Sequence, residues 1–395
     1  VRIALIDSNR VRPADRGQHF YPIALLKIGA WLKSQGHQVK LFDNRIPKSG
    51  FSEVWVTTLF TYDIPYSAGL VREAATRFKK VRVGGVAASL LPRYFEPYAE
   101  VHVGLMPEVE QFSPDYSLLP EPPEYSVTHI TRGCIRKCAF CMVPKLEPVF
   151  RRRKRWQDDL APGARKIYFY DNNWLAQSIK NIRQDVADIL EVMDTRGIQS
   201  VDFNQALDAR ILTEEKAEEL CKLTFDPGLR FAFDSMEEDG YWQEAVRMCA
   251  ARGQKHFTTY VLYNFTDKPR DLYYRLKEHV RIAEELGLQM AAFPMRYHPI
   301  LEIDSGRNFV GKYWTRRQRD NLGALVGRVF QGNVSCKGDA VFPPVKQFEN
   351  WFGATAEEFI RLLDYPNFRK LIRRKTAKHR LDAYRAREAK HGTND

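Results

Sequence analysis

The chain has 395 residues, 44% hydrophobic and 28% charged, too long for one ordinary core and apolar enough to bury two or three. No apolar run approaches the roughly 20 residues that span a bilayer, and the opening VRIALIDSNR lacks the basic–apolar–small order of a signal peptide. Net charge is +12, and residues 366–395 carry ten Lys/Arg against Asp382, Glu388 and Asp395, which makes a polyanionic partner worth testing.

Residues 1–106 alternate short apolar runs with helical patterns. VRIALID (1–7), QVKLFDN (38–44), EVWVTTLF (53–60), VRVGGVAAS (81–89) and EVHVGL (100–105) predict strands of a buried parallel sheet. PIALLKIGAWLKSQGHQ, with Leu25, Ile28, Trp31 and Leu32 at helical spacing and Gly36 suited to a helix end, predicts the first crossover helix. SAGLVREAATRFKK (67–80) predicts another. This is the doubly wound α/β pattern, whose ligand crevice lies at the C-terminal strand ends, here Asp7, Thr57–Thr58 and Gly84–Gly85. The fingerprint G-x-G-x-x-G is absent, which disfavours a nicotinamide or flavin dinucleotide.

Residues 107–124, with five prolines, read as a linker. From 125 to 303, YSVTHITRG, KIYFYDN, SVDFNQAL, LRFAFDS, HFTTYVLY and LQMAAFPMRY predict six strands separated by helices, one of them N-capped by Thr213. That number of β/α units suggests a partial or complete parallel barrel with chemistry at its C-terminal mouth. Residues 304–395 predict a helical, basic region without evident strands.

Six cysteines occur, with Cys134, Cys138 and Cys141 close together just past the first predicted barrel strand. This is not a secreted disulfide framework, and a reducing, cytoplasmic setting is expected. Cys221, Cys249 and Cys336 are scattered and read as buried small residues or one accessible thiol. Structural zinc wants four protein ligands, and the only fourth candidate nearby, His129, lies within the strand. A [4Fe–4S] cluster held by three cysteines leaves one iron open to a chelating ligand.

C-x3-C-x2-C with Phe140 before the last cysteine, following a strand in a β/α series, resembles the cluster loop of radical S-adenosylmethionine enzymes. The resemblance implies an open iron chelated by S-adenosylmethionine, its reductive cleavage to a 5′-deoxyadenosyl radical, and an external one-electron reductant of flavodoxin or ferredoxin type. With the Rossmann-like domain and SPDYSLLP ahead of it, the chain is similar to the subgroup with an N-terminal cobalamin-binding domain, which often transfers methyl groups to unreactive centres. Thr58, Gly84 and Gly85 would then face the cofactor of that domain. The ligand motif Asp-x-His-x-x-Gly is missing, the chain reading Asp7-Ser8-Asn9-Arg10, so a corrinoid and a domain that binds substrate or merely packs both stay open. The methylthiotransferase subgroup would need cysteines within residues 1–133, where there are none.

The resemblance also implies roles at the strand ends. Asp171, Asn172 and Asn173 would contact the methionine amino group, and Gln205 with Asp234–Ser235 the ribose hydroxyls or carboxylate. Phe140 would lie beside adenine through its backbone, and Tyr260 or Tyr263 would stack. Helix capping by Asp171 and Asp234, and ordinary packing of Gln205 and the tyrosines, are the competing readings. Tyr297 and His298 end the sixth strand and could move a hydrogen atom or proton, although a structural histidine bonded to a loop carbonyl is the favoured reading.

Two basic runs remain: Phe150-Arg151-Arg152-Arg153-Lys154-Arg155-Trp156, and a tail with Arg369, Arg373 and Arg380 near one side of a predicted helix and Leu371, Ile372 and Leu381 near another. Each alone reads as a solvated face. Together they raise a nucleic acid or other polyanionic substrate. Three function classes follow: a cobalamin-dependent radical methyltransferase, a corrinoid-free radical enzyme acting on nucleic acid or peptide, and a basic binding protein with a structural metal.

Overall fold

The computed structural model describes residues 1–10, 21–153, 155–303, 308–329, 334–335 and 343–391. Lys154 of the first basic run and Cys336 lie outside them. The chain is a mixed α/β protein in two compact units: Val1–Trp174 with Ile189–Ser200 and His298–Asn308, and Leu175–Asp188 with Val201–Tyr297 and Phe309–Asp395. Among the described residues no helix is long and apolar enough to cross a membrane.

The first unit begins as β1 (Arg2–Asp7), α1 (Ile23–Ser34), β2 (Gln38–Asp43), β3 (Glu53–Thr57), α2 (Ile64–Arg77), β4 (Val81–Gly84), α3 (Val86–Leu90) and β5 (Glu100–Val101). The five strands form one parallel sheet in the order β2-β1-β3-β4-β5. Period-2 alternation explains why β1 is apolar throughout. Ile3 and Leu5 join Leu25, Leu32 and Trp55 on the α1 side, whereas Ala4 and Ile6 join Val54, Val56, Val71 and Ala74 on the α2 side. The reversal of strand order between β1 and β3 opens the crevice of a doubly wound sheet at Asp7 and Thr57.

One local expectation is corrected. VRVGGVAAS is not one strand: Gly85 has φ 98°, and a Cβ there would lie 2.3 Å from the Thr58 carbonyl oxygen, so the chain turns into α3. The proline-rich segment, expected as a linker, carries a short helix and long-range hydrogen bonds. It contains α4 (Pro107–Glu110), the Asp115 N–H donates to the Leu26 carbonyl at 3.1 Å, and the Tyr116 hydroxyl donates to the Asp159 carbonyl at 2.6 Å.

Next come β6 (Tyr125–Thr128), β7 (Thr131–Arg132), α5 (Val143–Leu146), β8 (Arg151–Arg152) and β9 (Lys166–Phe169). β6 pairs in parallel with β9, and β7 pairs antiparallel with β8, so the cysteine loop is tied at its base. Part of the basic run is thereby absorbed. Arg153 donates in bidentate fashion to Asp159, which is 1% exposed and also accepts from Thr128 Oγ1 and pairs with buried Lys27 of α1 at 3.1 Å.

After α6 (Ile179–Arg196) and β10 (Ser200–Phe203), the second unit continues with α7 (Glu214–Leu220), β11 (Leu229–Ala232), α8 (Tyr241–Ala251), β12 (His256–Tyr263), α9 (Pro269–Leu286) and β13 (Gln289–Arg296). β11, β12 and β13 are parallel neighbours. Thr213 caps α7 by accepting from the Lys216 N–H. The C-terminal region is α10 (Arg316–Val329), β14 (Val334–Ser335), α11 (Pro344–Phe352), α12 (Ala356–Leu363) and α13 (Phe368–His391). β14 adds antiparallel to β13 where no strand is expected, because two residues carry no readable period. Tyr273 of α9 meets the rings of Phe348 and Phe359, which seats α11 and α12.

Candidate metal centre

The loop bearing Cys134, Cys138 and Cys141 starts at Gly133, whose φ is 73°. A Cβ there would fall 2.3 Å from the Val149 carbonyl oxygen, so the two ends of the loop approach as only glycine allows. All three thiols are half-buried and none is in a disulfide. Backbone N–H groups of Arg136 and Val143 donate to the sulfurs of Cys134 and Cys141 at 3.3 and 3.4 Å, and the Asn173 amide donates to Cys134 Sγ at 3.4 Å. Such donors stabilise thiolate ligands. Among the described residues no three His, Cys, Asp or Glu side chains are drawn together closely enough to hold a metal ion. The donor set fits a cluster in kind: three soft sulfurs, with N–H donors on Cys134 and Cys141.

His129 does not supply a fourth ligand to this loop. It is 7% exposed, and its Nε2 accepts from Arg132 Nε at 2.7 Å. Burial, then the Arg132 charge, lowers its pKa to about 4. Arg132 in turn pairs with Glu110 and Glu147. Burial would raise Glu110, but His129 and Arg132 together bring it down to about 2.

Three candidates lie at the end of β9. Asp171 is buried and accepts from the N–H groups of Ile130 and Thr131 and from the Thr131 hydroxyl, bracing the turn between β6 and β7. The Asn172 amide donates to Glu147 at 2.9 Å, and Asn173 reaches the cysteine loop. Phe140 is half-buried within that loop.

At the sheet crevice the Thr58 hydroxyl donates to the Gly84 carbonyl and accepts from the Ala88 N–H, so Thr58, Gly84 and Gly85 are brought together as the start of α3. Nearby, Ser8 bonds the Thr57 carbonyl and Ser67, while Asn9 joins Asp7 and the Leu59 N–H. Burial raises the Asp7 pKa to about 6. Asn44 Oδ1 and Asp63 Oδ2 are buried acceptors with no hydrogen-bond partner among the described residues.

Other candidates belong to the second unit. Gln205 is exposed in the turn after β10. Asp234 accepts from the Leu262 N–H, and burial, with Glu238 nearby, raises its pKa to about 7. Ser235 caps a short turn in a capping box with Glu238. The Tyr260 hydroxyl donates to the Asn204 carbonyl and accepts from Arg230, which is held bidentate by fully buried Asp202. Tyr263 is buried against Trp314 at 5.6 Å. Tyr297 packs its ring against Phe265 and Phe309. His298, the next residue in sequence, is half-buried in the first unit. The Asp202–Arg230 pair was not among the sequence candidates. Its signal is a charge inside each of two apolar strands, SVDF and LRFA.

No family model matches the sequence, and no curated protein matches it. In structure the chain is similar to the cobalamin-dependent S-adenosylmethionine radical enzyme OxsB with aqua-cobalamin bound, at a TM-score of 0.35 and 12% identity over 78% of this chain. It spans 51% of that enzyme, about half its length, and the likeness is too slight to carry an assignment.

The His129 network makes stability depend on acid. The folded pKa of about 4 lies below the usual 6.5, so the stabilisation by neutral His129 is complete above about pH 6.5 and is lost as pH falls toward 4. Urea unfolding of wild type and His129→Gln should show wild type losing about 3 kcal/mol more between pH 7 and pH 4. Parallel pH profiles would contradict the buried neutral state.

Proposed function

We propose that the chain is a radical S-adenosylmethionine enzyme in which Cys134, Cys138 and Cys141 would hold a [4Fe–4S] cluster. The observation that carries this reading is a closed loop of three half-buried thiols with backbone N–H donors on Cys134 and Cys141, while His129, the fourth ligand considered in the sequence, is engaged by Arg132. Such a cluster, when bound, supplies one electron to the sulfonium of S-adenosylmethionine, which yields methionine and a 5′-deoxyadenosyl radical. The chain's own residues prepare the place. Asp171 fixes the turn that leads into the loop, and Asn173 donates to one of the three sulfurs. Gln205, Ser235 and Tyr260 are the proposed ribose and adenine contacts, and Tyr297 and His298 the proposed hydrogen-atom or proton partners of the substrate.

Within that class we favour methyl transfer to an unactivated centre with a corrinoid at the crevice between β1 and β3. Asn44 Oδ1 and Asp63 Oδ2 suit the amide N–H groups of a corrinoid periphery. Anaerobic reconstitution should give about four irons per chain, and dithionite with S-adenosylmethionine should release 5′-deoxyadenosine. Alanine at any one of the three cysteines should abolish that release. Zinc in place of iron, with no cleavage, would leave a structural metal site. Failure to bind hydroxocobalamin at micromolar concentration would remove the methyl-transfer reading and keep the radical one.

A second reading concerns the partner. Arg369, Lys370, Arg373, Arg374, Lys378, Arg380 and Arg385 are exposed on α13 and, among the described residues, none is in an ion pair. At about 100° per residue they cover one half of the helix over about 24 Å. Phe368 and Ile372 on the other half are buried. A cationic face whose apolar side is already covered suits phosphates better than a bilayer, and we propose a nucleic acid. Reversing Arg369, Arg373, Arg374 and Lys378 to Glu should weaken RNA binding by at least tenfold and flatten its salt dependence. Equal binding by wild type and variant would remove the helix from the interface.

A further inference from the structure

We infer that Glu147, which no sequence pattern marks, is the positioning residue of the cysteine loop; this rests on the cluster reading above. Its carboxylate is largely buried and makes three contacts with two other stretches of chain. Oε1 accepts from Arg132 Nη1 at 2.7 Å, and Oε2 accepts from the Gly133 N–H at 3.1 Å and from Asn172 Nδ2 at 2.9 Å. These partners are the last strand residue before the loop, the residue adjoining Cys134, and the neighbour of the amide that donates to Cys134 Sγ. Glu147 itself follows α5, the helical turn just after Cys141, and its N–H donates to the Val143 carbonyl. One side chain therefore joins the entry of the loop, its exit and the end of β9.

A half-buried carboxylate with three good donors, one charged, is held in a single orientation, and losing it strands Arg132 Nη1, a backbone N–H and an amide. Arg132 keeps Glu110 and His129 as partners, so the base of the network survives. What is lost is the link to Gly133 and Asn172, hence the placement of Cys134 and its amide donor. Such outer contacts typically change metal affinity by about 10–100-fold.

The test compares wild type, Glu147→Ala, Glu147→Gln and Asn172→Ala after anaerobic reconstitution. Iron release to a chelator should be about 10–100-fold faster in Glu147→Ala, with an altered EPR spectrum of the reduced cluster. Glu147→Gln keeps one acceptor oxygen and should recover part of both. In the metal-free chain, Cys134 of Glu147→Ala should be alkylated faster than in wild type. Wild-type release, spectrum and alkylation in Glu147→Ala would overturn the inference while leaving the cluster reading intact. If that variant fails to fold, Asn172→Ala, which removes one contact only, decides by the same measurements. Zinc in reconstituted wild type would overturn the cluster reading itself.

Discussion

One buried carboxylate, Asp159, fixes the part of the fold on which the cysteine loop rests. It meets Lys27 from α1, Arg153 just beyond β8 and Thr128 at the end of β6, and its backbone carbonyl accepts from Tyr116. Burying Lys27 and Asp159 is costly, and burial lowers the Lys27 pKa despite its partner. The cost is offset only when every partner is in place, so the arrangement forms as a whole or not at all. It sets the first crossover helix, the proline-rich segment and β6 in one register within the first unit.

From that frame the loop inherits its position in steps. β6 ends at Thr128, Asp171 braces Ile130 and Thr131, β7 and β8 close the base, and Gly133 turns the chain back beneath Val149. Each step uses a contact distant in sequence. The thiols reach the C-terminal end of a parallel strand with N–H donors around them, and the network that holds the base also engages His129.

Much of the architecture is legible in the sequence because burial on both faces writes continuous apolar strands such as RIALID and EVWVT, and crossover helices leave a helical period between them. The cysteine spacing is likewise local. What escapes is long-range or conformational. Gly85 stops a strand by its positive φ, and the linker is pinned by Asp115 and Tyr116, which resemble any loop residues until their partners are known. The Thr58 hydroxyl also serves the start of α3, and Ser235 caps a short turn, contacts that appear only in the fold. Arg153 reads as one of five adjacent cations, yet it is half-buried on Asp159, whereas Arg151, Arg152 and Arg155 stay exposed. Glu147 and the pair Asp202–Arg230 carry no motif, and only the fold shows what they join.

The proposed function requires an iron held by the chain with one coordination position open. The most direct measurement is the EPR spectrum of the reduced, reconstituted protein recorded with and without S-adenosylmethionine. The expected result is a [4Fe–4S]⁺ signal whose g values shift when S-adenosylmethionine is added, and loss of the signal in Cys134→Ala. A cluster signal indifferent to S-adenosylmethionine, or a protein that binds zinc and gives no signal, would contradict it.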